Sequence, residues 1–256
     1  MVQLRENVTK NKLSRGEVVT VIDGYLTPHI IDAFGPLGFD AAWIDAEHGA
    51  PDFGDLPDLT RACDLWGITP LVRVNLNIPS VIYRTLDAGA QGIIVPRVNT
   101  AEDARAAVQA AKFHPIGSRG YYPGRQGYGV DDYYSTVNDQ TMIAVQIEET
   151  LALTNLTEIL KVEHIDVFLV TAGDLSQSMG HLDDVNHPEV VSAIGEAIEQ
   201  ITKAGKAAGI VGYESILDDF IGRGARFILT SWPLWVKQAA SRYLKLVETA
   251  YDRAKG

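Results

Sequence analysis

Positions 43–53 read WIDAEHGAPDF. An apolar run stops at Asp45, Glu47 and His48, and Gly49 and Pro51 then break the chain. Carboxylates and an imidazole this close together are costly to bury without partners. A carboxylate can orient and tune an imidazole, so His48 beside Asp45 and Glu47 has the makings of a general base. A metal ligand or a structural histidine are the other readings. Asp87, in LDAGAQG, is a further candidate partner for His48, or simply a turn residue before Gly89. Glu148 and Asp174 follow two later apolar runs, VQI and FLV, near Gln146 and Gly173. Two converging carboxylates repel unless a proton or a cation lies between them. Oxygen donors suit a hard divalent ion, Mg²⁺ or Mn²⁺ first and Co²⁺ or Zn²⁺ after them. Independent N-cap roles for Glu148 and Asp174 are the alternative. Arg73, in the apolar run PLVRV, stays charged and needs an anion, either substrate or a structural partner such as Glu47.

Such groups need a scaffold that brings distant segments together. Short β-branched runs at 18–22, 40–46, 70–74, 92–98, 142–148, 165–172, 207–212 and 225–231 are each followed by a helical pattern. Thr100 reads as an N-cap with acidic residues in the first turn after it. Pro188 and Gly205 bracket another helix. Near-continuous apolar strands alternating with amphipathic helices predict a parallel sheet covered by helices. Eight such units in 256 residues predict an α/β chain folded as a single (β/α)8 TIM barrel spanning 1–256. No G-x-G-x-x-G follows the first strand, which argues against a dinucleotide-binding sheet. Active sites in such barrels form at the C-terminal strand ends, where Asp45, Glu47, His48, Arg73, Arg97, Gln146, Glu148, Glu149, Asp174, Thr230 and Ser231 all fall. Residues 113–141 and 173–186 read as irregular connections. No lysine ends a strand, which argues against Schiff-base catalysis.

The net charge of −11 argues against nucleic acid and anionic membrane partners. A single cysteine, Cys63, excludes an intrachain disulfide and suits a reducing cytoplasm. The N-terminal residues lack the apolar core of a signal peptide, and no apolar run is long enough to span a bilayer.

WIDAEHGAPDF, PLVRVN, LDAGAQGIIVPRVNTAEDARAAVQAAKFHPIGSRG, VQIEE and GDLSQSMG occur in an order and spacing that resemble the HpcH/HpaI aldolases. The resemblance covers about residues 16–245. It implies a metal-dependent class II aldolase that reversibly cleaves 2-oxo-4-hydroxy acids to pyruvate, or a close analogue, and an aldehyde. It also implies a homo-oligomer, often a hexamer, with the last helix exchanged between neighbours. By the same resemblance, Glu148 and Asp174 would ligate the metal, and Gln146 would hold a metal-bound water. Arg73 would bind the pyruvate oxygen, and His48 paired with Asp87 would be the base. Glu47 would support the metal's water shell, and the amides of Gly173 and Asp174 would take the substrate carboxylate. The chain departs from the family pattern at Thr171 and Ala172, where Gly-Pro is common. It departs again at Arg97, at the turn after the first strand, and in the RGYYPGRQGYG loop. These departures suggest that Arg97 or Arg125 binds a second anionic group, with a plain salt bridge as the alternative for each. They also leave open a citrate-synthase-like or citryl/malyl-type lyase, or a non-catalytic barrel that binds 2-oxo acids.

Overall fold

The computed structural model describes residues 2–255. Eight parallel strands close into one barrel in chain order, as the sequence predicts. They are β1 (Val19–Asp23), β2 (Ala41–Asp45), β3 (Thr69–Arg73), β4 (Gly92–Val95), β5 (Met142–Ile147), β6 (Val167–Val170), β7 (Ala208–Val211) and β8 (Ala225–Ser231). Closure is made by β1 on β8, from Val19 opposite Phe227 to Asp23 opposite Ser231.

Alternate residues of each strand face opposite sides of a sheet. One set fills the barrel: Val19, Val21, Ala41, Trp43, Leu71, Ile94, Met142, Ala144, Val167, Leu169, Phe227 and Leu229. The other set, including Ile22, Ala42, Ile44, Val72, Val145 and Phe168, packs outward against the helices. The inward set has a consequence at the mouth. Continuing it by two positions in β1, β2, β3, β5 and β8 gives Asp23, Asp45, Arg73, Gln146 and Ser231.

The covering helices begin where the sequence signals predict. Helix α5 (Ala101–Ala111) starts with a complete capping box between Thr100 and Asp103. Helix α10 (Pro188–Lys203) starts on Pro188, and Gly205 beyond its end takes φ +71°. Three expectations change. Residues 113–141 are not one long loop, because α6 (Tyr133–Gln140) forms within them and buries Tyr133 and Val137 against Phe113. The stretch after β6 is not irregular from its start, because α9 (Ala172–Ser178) begins almost at once. Strand β4 stops at Val95 rather than continuing to 98, since Pro96 follows and Arg97 turns to φ +53°.

A short helix, α1 (Val8–Ser14), closes the opposite end of the barrel through polar contacts. The fully buried Asn7 side chain donates to the carbonyls of Gln91 (3.1 Å) and Gln140 (3.0 Å). Thr9 donates to Thr69 at 2.8 Å. At that same end the buried Lys112 donates to the carbonyls of Asn138 and Thr141, both at 2.5 Å. Burial, with the charge of Lys10 beside it, brings the Lys112 ammonium down to about 7. An unfolded chain keeps lysine near about 10.4. As pH falls from there toward 7, the unfolded chain takes up a proton that the fold does not. Stability is therefore lost over that window and levels off below it, with a limiting slope of about 1.4 kcal/mol per pH unit. Thermal unfolding between pH 7 and 9.5 is expected to show a Tm that rises with pH, and Lys112→Met to flatten the rise. An equal slope in the variant would rule Lys112 out as its source.

The last helix, α12 (Trp232–Lys255), has 24 residues and none of them is buried. Leu234, Trp235, Val236, Tyr243, Leu244, Leu246, Val247 and Tyr251 are exposed along it. Only its base is fixed to the barrel. Trp232 Nε1 donates to the Gly24 carbonyl at 2.7 Å, and Trp235 stacks on Phe39. Gly24 has φ +113°, and a Cβ there would lie 2.4 Å from Pro233. No described helix is long and apolar enough to cross a membrane.

Candidate active site

Arg73 is the hub of the barrel mouth. Its Nε and Nη2 donate to the two oxygens of Asp45 at 2.9 and 2.7 Å, and its Nη1 lies 3.0 Å from Glu47. Register explains the pair, because Asp45 and Arg73 face each other across β2 and β3. Two of the five guanidinium N–H groups donate to Asp45, Nη1 is ion-paired with Glu47, and the rest are open to a ligand. Burial alone would raise the Asp45 carboxyl, but the hydrogen bonds and charge of Arg73 outweigh it and hold Asp45 low. Burial keeps Glu47 raised despite the same arginine, with Asp45 and Asp174 adding to the effect. The amides of Glu47 and His48 donate to Asp45 Oδ1 at 3.0 and 3.2 Å. That turn sets the direction of the chain after β2 and brings His48 to the rim.

Glu148 lies just past β5 and is only 2 % exposed. Its Oε1 accepts from the Arg97 amide at 2.7 Å. Its Oε2 accepts from Gln146 Nε2 at 2.7 Å and from Thr171 Oγ1 at 2.9 Å. The left-handed backbone at Arg97 turns that amide toward the carboxylate, a conformation that costs a non-glycine residue some energy. Burial raises the Glu148 carboxyl more than these donors lower it, and the charges of Asp174 and Glu47 raise it further. Asp174 is exposed in the first turn of α9, and its carboxylate has no hydrogen bond or ion pair among the described residues. Neither Glu148 nor Asp174 acts as a side-chain N-cap.

The donor set suits a divalent ion. Asp174 is near enough to raise both Glu148 and Glu47, Glu47 also raises Glu148, and all three offer hard oxygen. Beside them Gln146 Oε1 is buried with no hydrogen-bond partner. An orphaned acceptor there needs a donor such as an ion-bound water. The described residues that offer three ligand atoms within 4.8 Å of one another lie elsewhere. They are His181, His187 and Glu189, where His187 caps α10 and stacks on His181.

Other sequence candidates fall as follows. His48 is exposed at the rim, with Nε2 3.9 Å from Glu47. Asp87, at the end of α4 (Pro79–Asp87), does not pair with His48 within the chain. It binds the buried Arg119 at 2.7 Å instead, because the 113–124 segment folds back over α4. Arg97 pairs with Glu149 at 2.7 Å, and Arg125 pairs with Asp64 at 2.7 Å beneath the 88–89 turn. Neither arginine lines the mouth cavity. Gly173 and Asp174 both lie in the first turn of α9, where backbone amides have no earlier helical carbonyl to donate to. Sequence reasoning missed Asp23 and gave Thr171 no role. The signal for Asp23 was a carboxylate at the end of an apolar strand, two positions beyond Val21.

A cavity of about 680 Å³ opens at the β1, β2 and β8 side of the mouth. Asp23, Tyr25, Trp43, Asp45, His48 and Ser231 are among its walls. Arg73, clamped by Asp45 and Glu47 next to carboxylates suited to a hard cation, can stabilise negative charge on a small acid. The fold is thus a (β/α)8 barrel, and its mouth gathers an arginine and carboxylates that could serve a small anionic substrate.

The chain belongs to the HpcH/HpaI aldolase/citrate lyase family, which residues 25–228 match. It is 35 % identical over 232 residues to a hydroxypyruvate/pyruvate aldolase of Roseobacter denitrificans, covering 87 % of this chain and 89 % of the relative. It is 38 % identical over 189 residues to a 2-dehydro-3,6-dideoxy-6-sulfogluconate aldolase of Pseudomonas putida, covering 71 % and 72 %. Among solved structures, an HpcH/HpaI aldolase/citrate lyase family protein of Burkholderia cenocepacia superposes with a TM-score of 0.89 at 29 % identity. That match covers 94 % of this chain and 99 % of the other.

Proposed function

We propose that the chain is a metal-dependent class II aldolase. It cleaves 2-oxo-4-hydroxy acids reversibly to pyruvate, or a close 2-oxo acid, and an aldehyde. The observation that carries this reading is the pairing of Arg73 with Asp45 and Glu47 beside the unneutralised carboxylates Glu148 and Asp174. Glu148 and Asp174 would hold the ion, with Mg²⁺ or Mn²⁺ preferred to Co²⁺ or Zn²⁺. Gln146, with its unpartnered Oε1, and Glu47 would support its waters. The bound ion would act as a Lewis acid toward the oxo acid. The N–H groups of Arg73 not bonded to Asp45 serve the oxyanion that would develop on C–C cleavage, and the low Asp45 carboxyl keeps the guanidinium fixed. The amides of Gly173 and Asp174 receive the substrate carboxylate. His48 removes the proton of the 4-hydroxyl, directly or through water, and returns it in the reverse direction. Asp45, through the His48 amide, fixes the backbone that carries the imidazole. Asp87 serves the 113–124 segment within one chain.

The unpacked apolar surface of α12 supports a homo-oligomer in which this helix is exchanged, with a hexamer as the expected form. The acidic composition and the single cysteine support a cytoplasmic enzyme without nucleic acid or membrane partners.

The test is pyruvate release from a generic 2-oxo-4-hydroxy acid after chelation and after return of Mg²⁺, Mn²⁺ or Co²⁺. Activity is expected to vanish with chelator and return with metal. No turnover with any metal, despite a bound ion, would overturn the aldolase reading in favour of a citrate-type lyase or a binding barrel.

A further inference from the structure

We propose that Asp23 determines which aldehyde the enzyme accepts, favouring cationic and hydroxyl-bearing aldehydes over anionic ones. The proposal rests on the aldolase reading above and concerns the half of the substrate that leaves as aldehyde.

Asp23 ends β1 on the inward side, after Val19 and Val21, and faces Ser231 across the β1–β8 closure. It is half-buried, and no side chain of the described residues bonds to its carboxylate. The Gly24 amide lies beside it, and its charged neighbours are Asp45 and Arg73. Arg73 is already held by Asp45 and Glu47. A carboxylate placed beside another carboxylate, with the neighbouring arginine bonded to others, costs the fold stability and gives it no side-chain hydrogen bond. A serine or leucine would end the strand at lower cost. The group is therefore placed for something that enters the cavity.

The cavity has the matching character. Asp23, Asp45, Asp55 and Asp58 line it, together with His48, and no lysine or arginine does. Tyr25 and Thr27 add hydroxyls. Asp45 is bonded to Arg73, while Asp23 has no ion pair among the described residues. The arginines outside the family pattern, Arg97 and Arg125, are paired with Glu149 and Asp64 away from this space. An aldehyde carrying a carboxylate would thus meet uncompensated negative charge. One carrying an ammonium group would be attracted, and hydroxyls would find an acceptor.

The experiment measures kcat/KM for aldol addition of pyruvate to three probes: betaine aldehyde (cationic), glycolaldehyde (neutral) and succinic semialdehyde (anionic). Full-length protein is used, with saturating Mn²⁺ and low salt. The wild type is expected to prefer the cationic over the anionic probe by at least about tenfold, a preference that weakens with added salt. Asp23→Asn is expected to remove most of that ratio, Asp23→Glu to keep it, and Asp23→Lys to invert it. Comparison is confined to variants whose Tm shows them folded. A ratio unchanged in Asp23→Asn, or a wild type that prefers the anionic aldehyde, would overturn the proposal. Deuterium exchange at the pyruvate methyl of the wild type separates the two readings. Its absence, with no addition to any probe, would refute the aldolase reading and the proposal with it. Exchange without the charge preference refutes the role of Asp23 alone.

Discussion

Glu148→Gln is expected to lower kcat for 2-oxo-4-hydroxy acid cleavage by about 10⁴-fold while leaving the fold intact. The substitution keeps the shape of the side chain. Its Oε1 still accepts from the Arg97 amide, as the carboxylate does now at 2.7 Å. Its new amide nitrogen meets two donors, Gln146 Nε2 and Thr171 Oγ1. Both can adapt, because Gln146 can turn its unpartnered oxygen inward and a hydroxyl can accept as well as donate. What is lost is one of the few negative charges available to a divalent ion. Losing the Lewis acid forfeits several kcal/mol of charge stabilisation, and each tenfold in rate is about 1.4 kcal/mol. His48→Ala is expected to cost less, about 10²-fold. The imidazole is 69 % exposed, so water can partly replace it as proton acceptor. Steady-state rates over a Mn²⁺ titration, with calorimetric Mn²⁺ affinity for each variant, check the ordering. Equal residual rates at saturating metal would refute it.

The second large effect is at Arg73. Arg73→Lys keeps the charge and loses the fork. A lysine ammonium is a single point on a flexible stem, and it cannot hold both Asp45 oxygens, reach Glu47 and leave donors for an oxyanion. A fall in kcat/KM of about 10³-fold is expected. The stability cost is smaller, about 1–2 kcal/mol, because charge-assisted bonds are lost while Asp45 and Glu47 remain about a fifth exposed and partly screened by water. For a chain of this size that corresponds to a Tm lower by about 3–6 °C. Arg73→Ala should unfold at a lower temperature still, since it leaves two neighbouring carboxylates with no counter-charge. Paired thermal melts and kinetics distinguish the roles. A lysine variant that loses stability but keeps near-wild-type kcat/KM would make Arg73 structural and would remove it from the proposed chemistry.

Much of this chain's organisation is local, and so the sequence alone determined it. Eight apolar runs alternate with helical patterns, and Thr100 with Asp103, Pro188 and Gly205 act through neighbours three or four residues away. Such signals need no tertiary contact, and the barrel follows from their repetition. Residue types at the strand ends were legible for the same reason, since charge that stops an apolar run is visible in one dimension.

Which of those groups meet was decided only in three dimensions. Strands buried on both faces carry no polar alternation, so their sequence does not say which side faces the barrel. Barrel closure sets that parity, and it turns Asp23, Asp45, Arg73, Gln146 and Ser231 inward together. Pairing across strands sets the rest. Asp45 is 28 residues from Arg73 in the chain and directly opposite it in register. The partner of Asp87 was open in the sequence, and the fold-back of residues 113–124 gives it to Arg119. For Arg97 the sequence left a second anionic group and a plain salt bridge both open, and the turn after β4 joins its side chain to Glu149 and its amide to Glu148. Spacing along the chain supplied the chemical groups, and closure of the barrel decided which of them share one mouth.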